Sequence, residues 1–148
     1  MQLSTEGLEL IKRFEGFRDQ LYIDVAGFPT IGYGHRVVPP ESFLNGVSEP
    51  HAATILAGDV SAAERAVCSL VKAALTQGQF DALVDFVFNL GGGRLASSTL
   101  LRYLNSGKHD AAAWELLAWD HAGSHEVASL KARREAEFQL WNPHAAAA

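Results

Sequence analysis

The chain has 148 residues, a formal net charge of −5 and one cysteine. That length suits one folding unit that buries roughly 70% of its unfolded surface without covalent staples, and Cys68 has no partner for an internal disulfide. The acidic balance, without a long Lys/Arg patch, excludes a typical nucleic-acid binder, and no 18-residue apolar run or basic leader points to membrane insertion or secretion.

In chain order, Leu8, Leu10, Ile11, Phe14 and Phe17 recur at helical spacing, which predicts an amphipathic helix from Ser4 or Thr5 onward, stopped at Gly16. Glu15 then lies in the last helical turn, at the negative end of the helix dipole and between two phenylalanines. Both surroundings disfavour a carboxylate, so Glu15 is expected to keep a proton near neutral pH, as a general acid must. Leu21 to Ile23 read as a strand, Val25 to Gly27 as a turn and Phe28 to Tyr33 as a returning strand, which makes a hairpin. Asp24 and Thr30 flank the turn and face one small volume beside Glu15. Pro29 lacks a ladder donor, so the returning arm is expected at a sheet edge, and Gly32 and Gly34 leave room for a ligand to approach the backbone.

Pro39-Pro40 and Asn45-Gly46 mark a loop, and Ser48 caps a long Ala-rich helix from about 49 to 73, loosened at Gly58. Cys68 within it reads as a small buried hydrophobe. Thr76 caps a helix through Leu90 whose Phe80, Leu83, Val84, Val87 and Phe88 cover most of its circumference, so it should be the most buried element. The run Gly91 to Gly93 ends it. Ser98 caps a short helix that stops at Gly107, Asp110 caps another carrying Trp114 and Leu117, and a last helix runs from Ser129 to Trp141, leaving a frayed tail over 143–148. The expected fold class is α+β with helix dominant. One unit is expected over 1–148: an N-terminal lobe of about 1–48, the linking helix and a helical lobe of about 74–142.

A glutamate and an aspartate nine residues apart are common on solvated surfaces. The full string is more specific. Glu15, eight residues, Asp24, five residues, Thr30, then Ile31-Gly32-Tyr33-Gly34-His35, resembles the catalytic signature of the phage-type lysozymes. The resemblance continues through Gln79-Phe80-Asp81-Ala82-Leu83-Val84, Phe88-Asn89-Leu90-Gly91, Ser98 to Asn105 and Arg133-Arg134-Glu135-Ala136-Glu137, and spans about Ser4 to Trp141. It implies two lobes joined by the long helix, and a muramidase acting on the β-1,4 bond between N-acetylmuramic acid and N-acetylglucosamine of bacterial peptidoglycan. Glu15 would be the general acid, with Asp24 and Thr30 activating and holding water, and inversion at the anomeric carbon is implied. Phe88, Asn89 and Gly32 are the candidate substrate-binding residues. Asn89 reads equally as a helix C-cap.

Arg133, Arg134 and Glu137 are assigned to a salt-bridged face of the last helix, and His35 to packing or hydrogen bonding behind the hairpin in preference to catalysis. His121 and His125, beside Asp120, lack a third neutral ligand at zinc spacing, so no metal and no cofactor are expected. The stretch 120–129 departs from the family's glycine-rich loop, which leaves contacts to the peptide stem open. A monomer is expected, held in the host cytoplasm until release to the wall. The negative charge works against long-range steering toward anionic walls. Rival readings are a wall-binding module without turnover, opposed by the intact Glu15, Asp24 and Thr30, and a zinc amidase, opposed by the missing ligand motif.

Overall fold

The computed structural model describes residues 1–142, so the tail expected over 143–148 lies outside the described residues. Helix α1, Thr5–Glu15, starts where Ser4 accepts a hydrogen bond from the Gly7 amide and ends at Gly16, which adopts a positive φ of 71°. It buries Leu10 and Ile11. Ser4 is in turn anchored from outside the helix, because its amide and its hydroxyl both donate to the carboxylate of Asp81.

Three short strands follow: β1, Arg18–Ile23; β2, Pro29–Gly32; and β3, His35–Arg36. They form one antiparallel sheet in the order β1-β2-β3. The arm carrying Pro29 is therefore central, not the expected edge. Pro29 is tolerated because it is the first residue of β2, where it pairs with Ile23 and needs only its carbonyl, which accepts from the Val37 amide at 2.9 Å. The strand β1 stays largely exposed, whereas Thr30, Ile31 and Gly32 of β2 are buried. That asymmetry arises because β2 and β3 pack on helix α2, Glu49–Leu70.

Helix α2 begins at Ser48, whose hydroxyl accepts from the His51 amide, and Pro50 occupies its first turn. It ends at Leu70, three residues before the expected limit, and runs without interruption through Gly58. Its buried stripe is Ala52, Leu56, Val60, Ala63 and Val67. Cys68 is exposed, contrary to the sequence expectation. It follows Val67 directly, and one residue turns a helix by about 100°, which rotates the thiol off the stripe.

Helix α3, Gln77–Leu90, has the reciprocal cap of Thr76 and Gln79 and buries every residue from Phe80 to Val87, including Asp81 and Asp85. Around it stand α4, Gly92–Ala96, α5, Thr99–Asn105, α6, His109–Leu116, and α7, Ala128–Trp141. The glycine run only partly ends α3: Gly91 stops it and Gly92 starts α4. Lys108, not Asp110, occupies the N-cap of α6, without a side-chain cap bond. The stretch 120–129 contains a two-stranded hairpin, β4 (His121–Ala122) with β5 (His125–Glu126). Its register pairs His121 with Glu126 and Ala122 with His125, so the two histidines project to opposite faces.

The main core gathers α2, α3, α5 and α6 around Phe80, Leu83, Phe86, Leu100, Leu104 and Leu116, all at most 1% exposed. Leu→Ala changes at such positions cost about 2–5 kcal/mol. The α1–α3 crossing is tight enough that a Cβ on Gly7 would fall 2.8 Å from Asp81 Cγ. This packing fixes the direction in which α1 presents its last residue, Glu15.

Candidate active site

Glu15 is half-buried at the C-terminal end of α1 and meets two other elements. From α7, Arg133 Nη1 donates to Glu15 Oε1 at 2.9 Å. From the β2–β3 turn, the backbone of Gly34 comes so close that a Cβ there would lie 2.9 Å from Glu15 Oε2. Gly34 has φ 74°, a left-handed conformation that only glycine adopts cheaply. One carboxylate oxygen is thus fixed by a guanidinium while the other faces the turn of the sheet. To the helix end and the apolar neighbours expected from the sequence, the structure adds this ion pair. The Arg133 guanidinium also stands 5.6 Å from the centre of the Phe14 ring.

Arg133 carries a second obligation. Its Nε and Nη2 donate to Asp85 at 3.0 and 2.8 Å, and Asp85 is wholly buried. Burial alone pulls an arginine down, but the hydrogen bonds and charges of Asp85 and Glu15 outweigh it, so Arg133 is held above its ordinary value and stays cationic. Next to it, Arg134 donates to Glu137 at 2.6 Å and to Asn89 Oδ1 at 2.9 Å. Burial is the largest influence on Glu137 and pushes its carboxyl well up, assisted by Asp85 and opposed by the two arginines. The Arg134–Glu137 bridge agrees with the salt-bridged face expected for the last helix, and both side chains are buried.

Asp24 sits just beyond β1. Its Oδ1 accepts from the amides of Ala26 and Phe28, each at 2.9 Å, which locks the carboxylate into the turn. Its Oδ2 is left with a loose ion pair, 3.9 Å from Arg36 Nε on β3. Thr30 stands on β2 opposite Tyr22 on one side and Arg36 on the other. It is 2% exposed, and its hydroxyl donates to the Phe28 carbonyl at 2.9 Å. That hydroxyl has spent its one proton, so toward a water it acts as an acceptor. The sheet therefore carries Asp24 and Thr30 near one end and sets Gly34, in the turn at its other side, against Glu15.

The site's scaffold is supported from behind. His35 on β3 is hydrogen-bonded through Nδ1 to Asp59 of α2 at 2.8 Å and through Nε2 to Glu41 at 2.9 Å. Tyr33 donates to Glu49 at 2.8 Å, and burial followed by that bond pushes its phenol up to about 12. Both residues tie the β2–β3 turn to α2 and the loop before it, in agreement with the structural role expected for His35.

The sequence profile of the family described as phage lysozyme matches residues 12–137. This chain belongs to the phage lysozyme family. It is 39% identical over 137 residues to the endolysin of Salmonella phage P22, with 90% of this chain and 94% of that protein covered. It is 42% identical over 146 residues to the endolysin of Bacillus phage B103; there the match covers 95% of this chain, which spans only 54% of that relative's length. Among solved structures, the muramidase domain of SpmX from Asticaccaulis excentricus is 36% identical and superposes with a TM-score of 0.88, covering 95% of this chain and 97% of that one.

In this phage lysozyme family member the three candidate substrate-binding residues have different surroundings. Phe88 is half-buried and lines a surface cavity of about 340 Å³ with Asp59, Ala66 and Gly92, between α2 and α4. Asn89 is not the helix cap, since α3 continues to Leu90 and Gly91 ends it; its side-chain oxygen accepts from Arg134, and among the described residues its amide group donates to no partner. Gly32 is buried, and a Cβ there would meet Ala52 Cβ at 3.1 Å, so its missing side chain serves the packing of β2 on α2. At Gly34 the neighbour that fills the space of a side chain is Glu15.

Sequence reasoning missed Arg133 as the partner of Glu15, 118 residues away, and Asp85 as the partner of Arg133. One signal was present. Asp81 and Asp85 lie four residues apart inside the most apolar helix, a place where ionisable groups stay only when they have partners.

Proposed function

We propose that the chain is an endolysin-type muramidase that hydrolyses the β-1,4 bond between N-acetylmuramic acid and N-acetylglucosamine in bacterial peptidoglycan. The observation that carries this reading is the placement of Glu15. It is clamped by Arg133, faces Gly34, and stands beside the sheet that holds Asp24 by two backbone amides, in a chain belonging to the phage lysozyme family. Glu15 protonates the glycosidic oxygen as the bond to the leaving sugar breaks. Asp24, with Oδ1 occupied by the turn and Oδ2 directed toward the loosely held Arg36, takes a proton from the attacking water. Thr30 accepts a hydrogen bond from that water. Attack from the face opposite Glu15 gives inversion.

Phe88 and the side-chain amide of Asn89 contact the sugars, with the sheet region of about 1–48 and the helical region of about 74–142 as the two walls. The protein works as a monomer and reaches the wall after release from the host cytoplasm. Among the described residues no helix is long and apolar enough to cross a membrane. Incubating the purified protein with peptidoglycan and identifying the new reducing ends tests the bond cleaved. Glu15→Gln should lower turnover at least about 10²-fold with an unchanged circular dichroism spectrum. Undiminished turnover removes Glu15 as the acid. Absence of new reducing ends from the wild-type protein favours a wall-binding module without turnover.

A further inference from the structure

Behind Glu15 lies a charged layer that the hydrolytic step does not touch. Arg133 reaches Glu15 with Nη1 alone, while its other two donor positions face Asp85. Asp85 is 0% exposed and also lies 3.9 Å from Arg134 Nη2, so this one carboxylate stands between two guanidinium groups. A cation alone at 2.9 Å from a carboxyl group would draw off the proton that a general acid needs, whereas a cation backed by an anion supplies a fixed donor with a much weaker field.

We propose that Asp85 is a positioning residue for hydrolysis: it aims Nη1 of Arg133 at Glu15 and offsets the arginine's charge so that Glu15 retains a transferable proton. This rests on the reading of Glu15 as the general acid. The other charged groups around this layer are named by the packing. Helix α7 supplies Arg134 and Glu137 beside Arg133. Glu137 is engaged by Arg134 at 2.6 Å, whereas Asp85 is the carboxylate that faces both arginines, at 2.8 Å from Arg133 and 3.9 Å from Arg134. On α1, Lys12 is turned to Glu9 and Glu49, and the sheet places Asp24 and Arg36 together.

The test uses the pH dependence of kcat/KM on soluble wall fragments, whose basic limb reports loss of the proton from the acid. Carboxyl NMR of Glu15, assigned by its disappearance in Glu15→Gln, provides a second reading independent of turnover. Asp85→Asn keeps the shape but deletes the counter-charge, and should move the basic limb down by about one pH unit. Arg133→Gln removes the cation and should move it up. The double variant Asp85→Asn with Arg133→Gln should return the limb close to its wild-type position. That variant removes Arg133 and Asp85 together and leaves Arg134 its bridge to Glu137, so it carries less uncompensated buried charge than Asp85→Asn. Opposite shifts that cancel support the proposal, and a purely packing role moves rate and stability without moving the limb.

An unshifted limb in Arg133→Gln, or a double variant shifted as far as Arg133→Gln alone, overturns it. If Asp85→Asn does not fold, the comparison of wild type, Arg133→Gln and the double variant still decides. Failure of the general-acid reading shows separately, as a Glu15→Gln protein that turns over normally.

Discussion

Gly34→Ala separates backbone strain from damage to the acid. The glycine has φ 74°, so any L-side chain there costs about 1–2 kcal/mol. At 148 residues that loss lowers Tm by roughly 2–8 °C. The new methyl would also fall 2.9 Å from Glu15 Oε2, against 3.4 Å or more for ordinary contact, so the carboxyl must retreat by about half an ångström. A free glutamate tip would swing aside cheaply. Glu15 cannot, because Arg133 holds its other oxygen at 2.9 Å and is itself held by Asp85. Gly107 supplies the control: its φ is 79°, with nothing within 4 Å of an added Cβ. Gly107→Ala should match the thermal loss and keep full activity, whereas Gly34→Ala should lose about 10²-fold in kcat/KM. Thermal unfolding and initial rates on wall fragments measure the two quantities. Equal activities for the two variants would refute the placement of Gly34 against the acid.

Thr30→Val preserves the β-branched shape at a buried strand position but removes a hydroxyl that donates to Phe28, leaving that carbonyl short of one bond. Stability should fall by about 1 kcal/mol, and activity at least tenfold if the hydroxyl also holds the attacking water; a variant that loses only stability makes Thr30 a strand residue and nothing more. The His35 clamp makes a pH prediction. Burial lowers the imidazole, but the bonds and charges of Asp59 and Glu41 outweigh it and the net direction is upward from 6.5. Its contribution is therefore full below pH 6.5 and is lost as the pH climbs through the raised folded value. Urea unfolding of wild type and His35→Gln should differ by about 1 kcal/mol or less at pH 5.5 and converge at alkaline pH, and a difference that grows with pH would contradict the sign.

Local chemistry made several elements legible in the sequence. Ser4, Ser48, Thr76 and Ser98 each accept a hydrogen bond from a helix's first turn, so the starts of α1, α2, α3 and α5 follow from residues a few positions apart. The string from Glu15 to His35 likewise carries its own turn, because Asp24 folds back on the amides of Ala26 and Phe28 without help from the rest of the chain. The pattern of α3 announced its burial for the same reason, since apolar side chains around a helix leave no solvated face.

What tertiary structure decided is how those pieces face one another. Pro29 permits an edge strand, but a third strand formed by His35 and Arg36 makes β2 central. Gly32 and Gly34 look alike in sequence, yet Ala52 occupies the space beside one and Glu15 the space beside the other. Cys68 shows the same limit, falling outside the apolar stripe by a single residue. Most of all, the electrostatic surroundings of Glu15 come from Arg133 on α7, 118 residues from the acid it serves, and from Asp85 on α3, which holds that arginine. Coulomb and hydrogen-bond energies depend on separation in space, and no local pattern in the chain encodes a contact made only when α1, α3 and α7 close on one another.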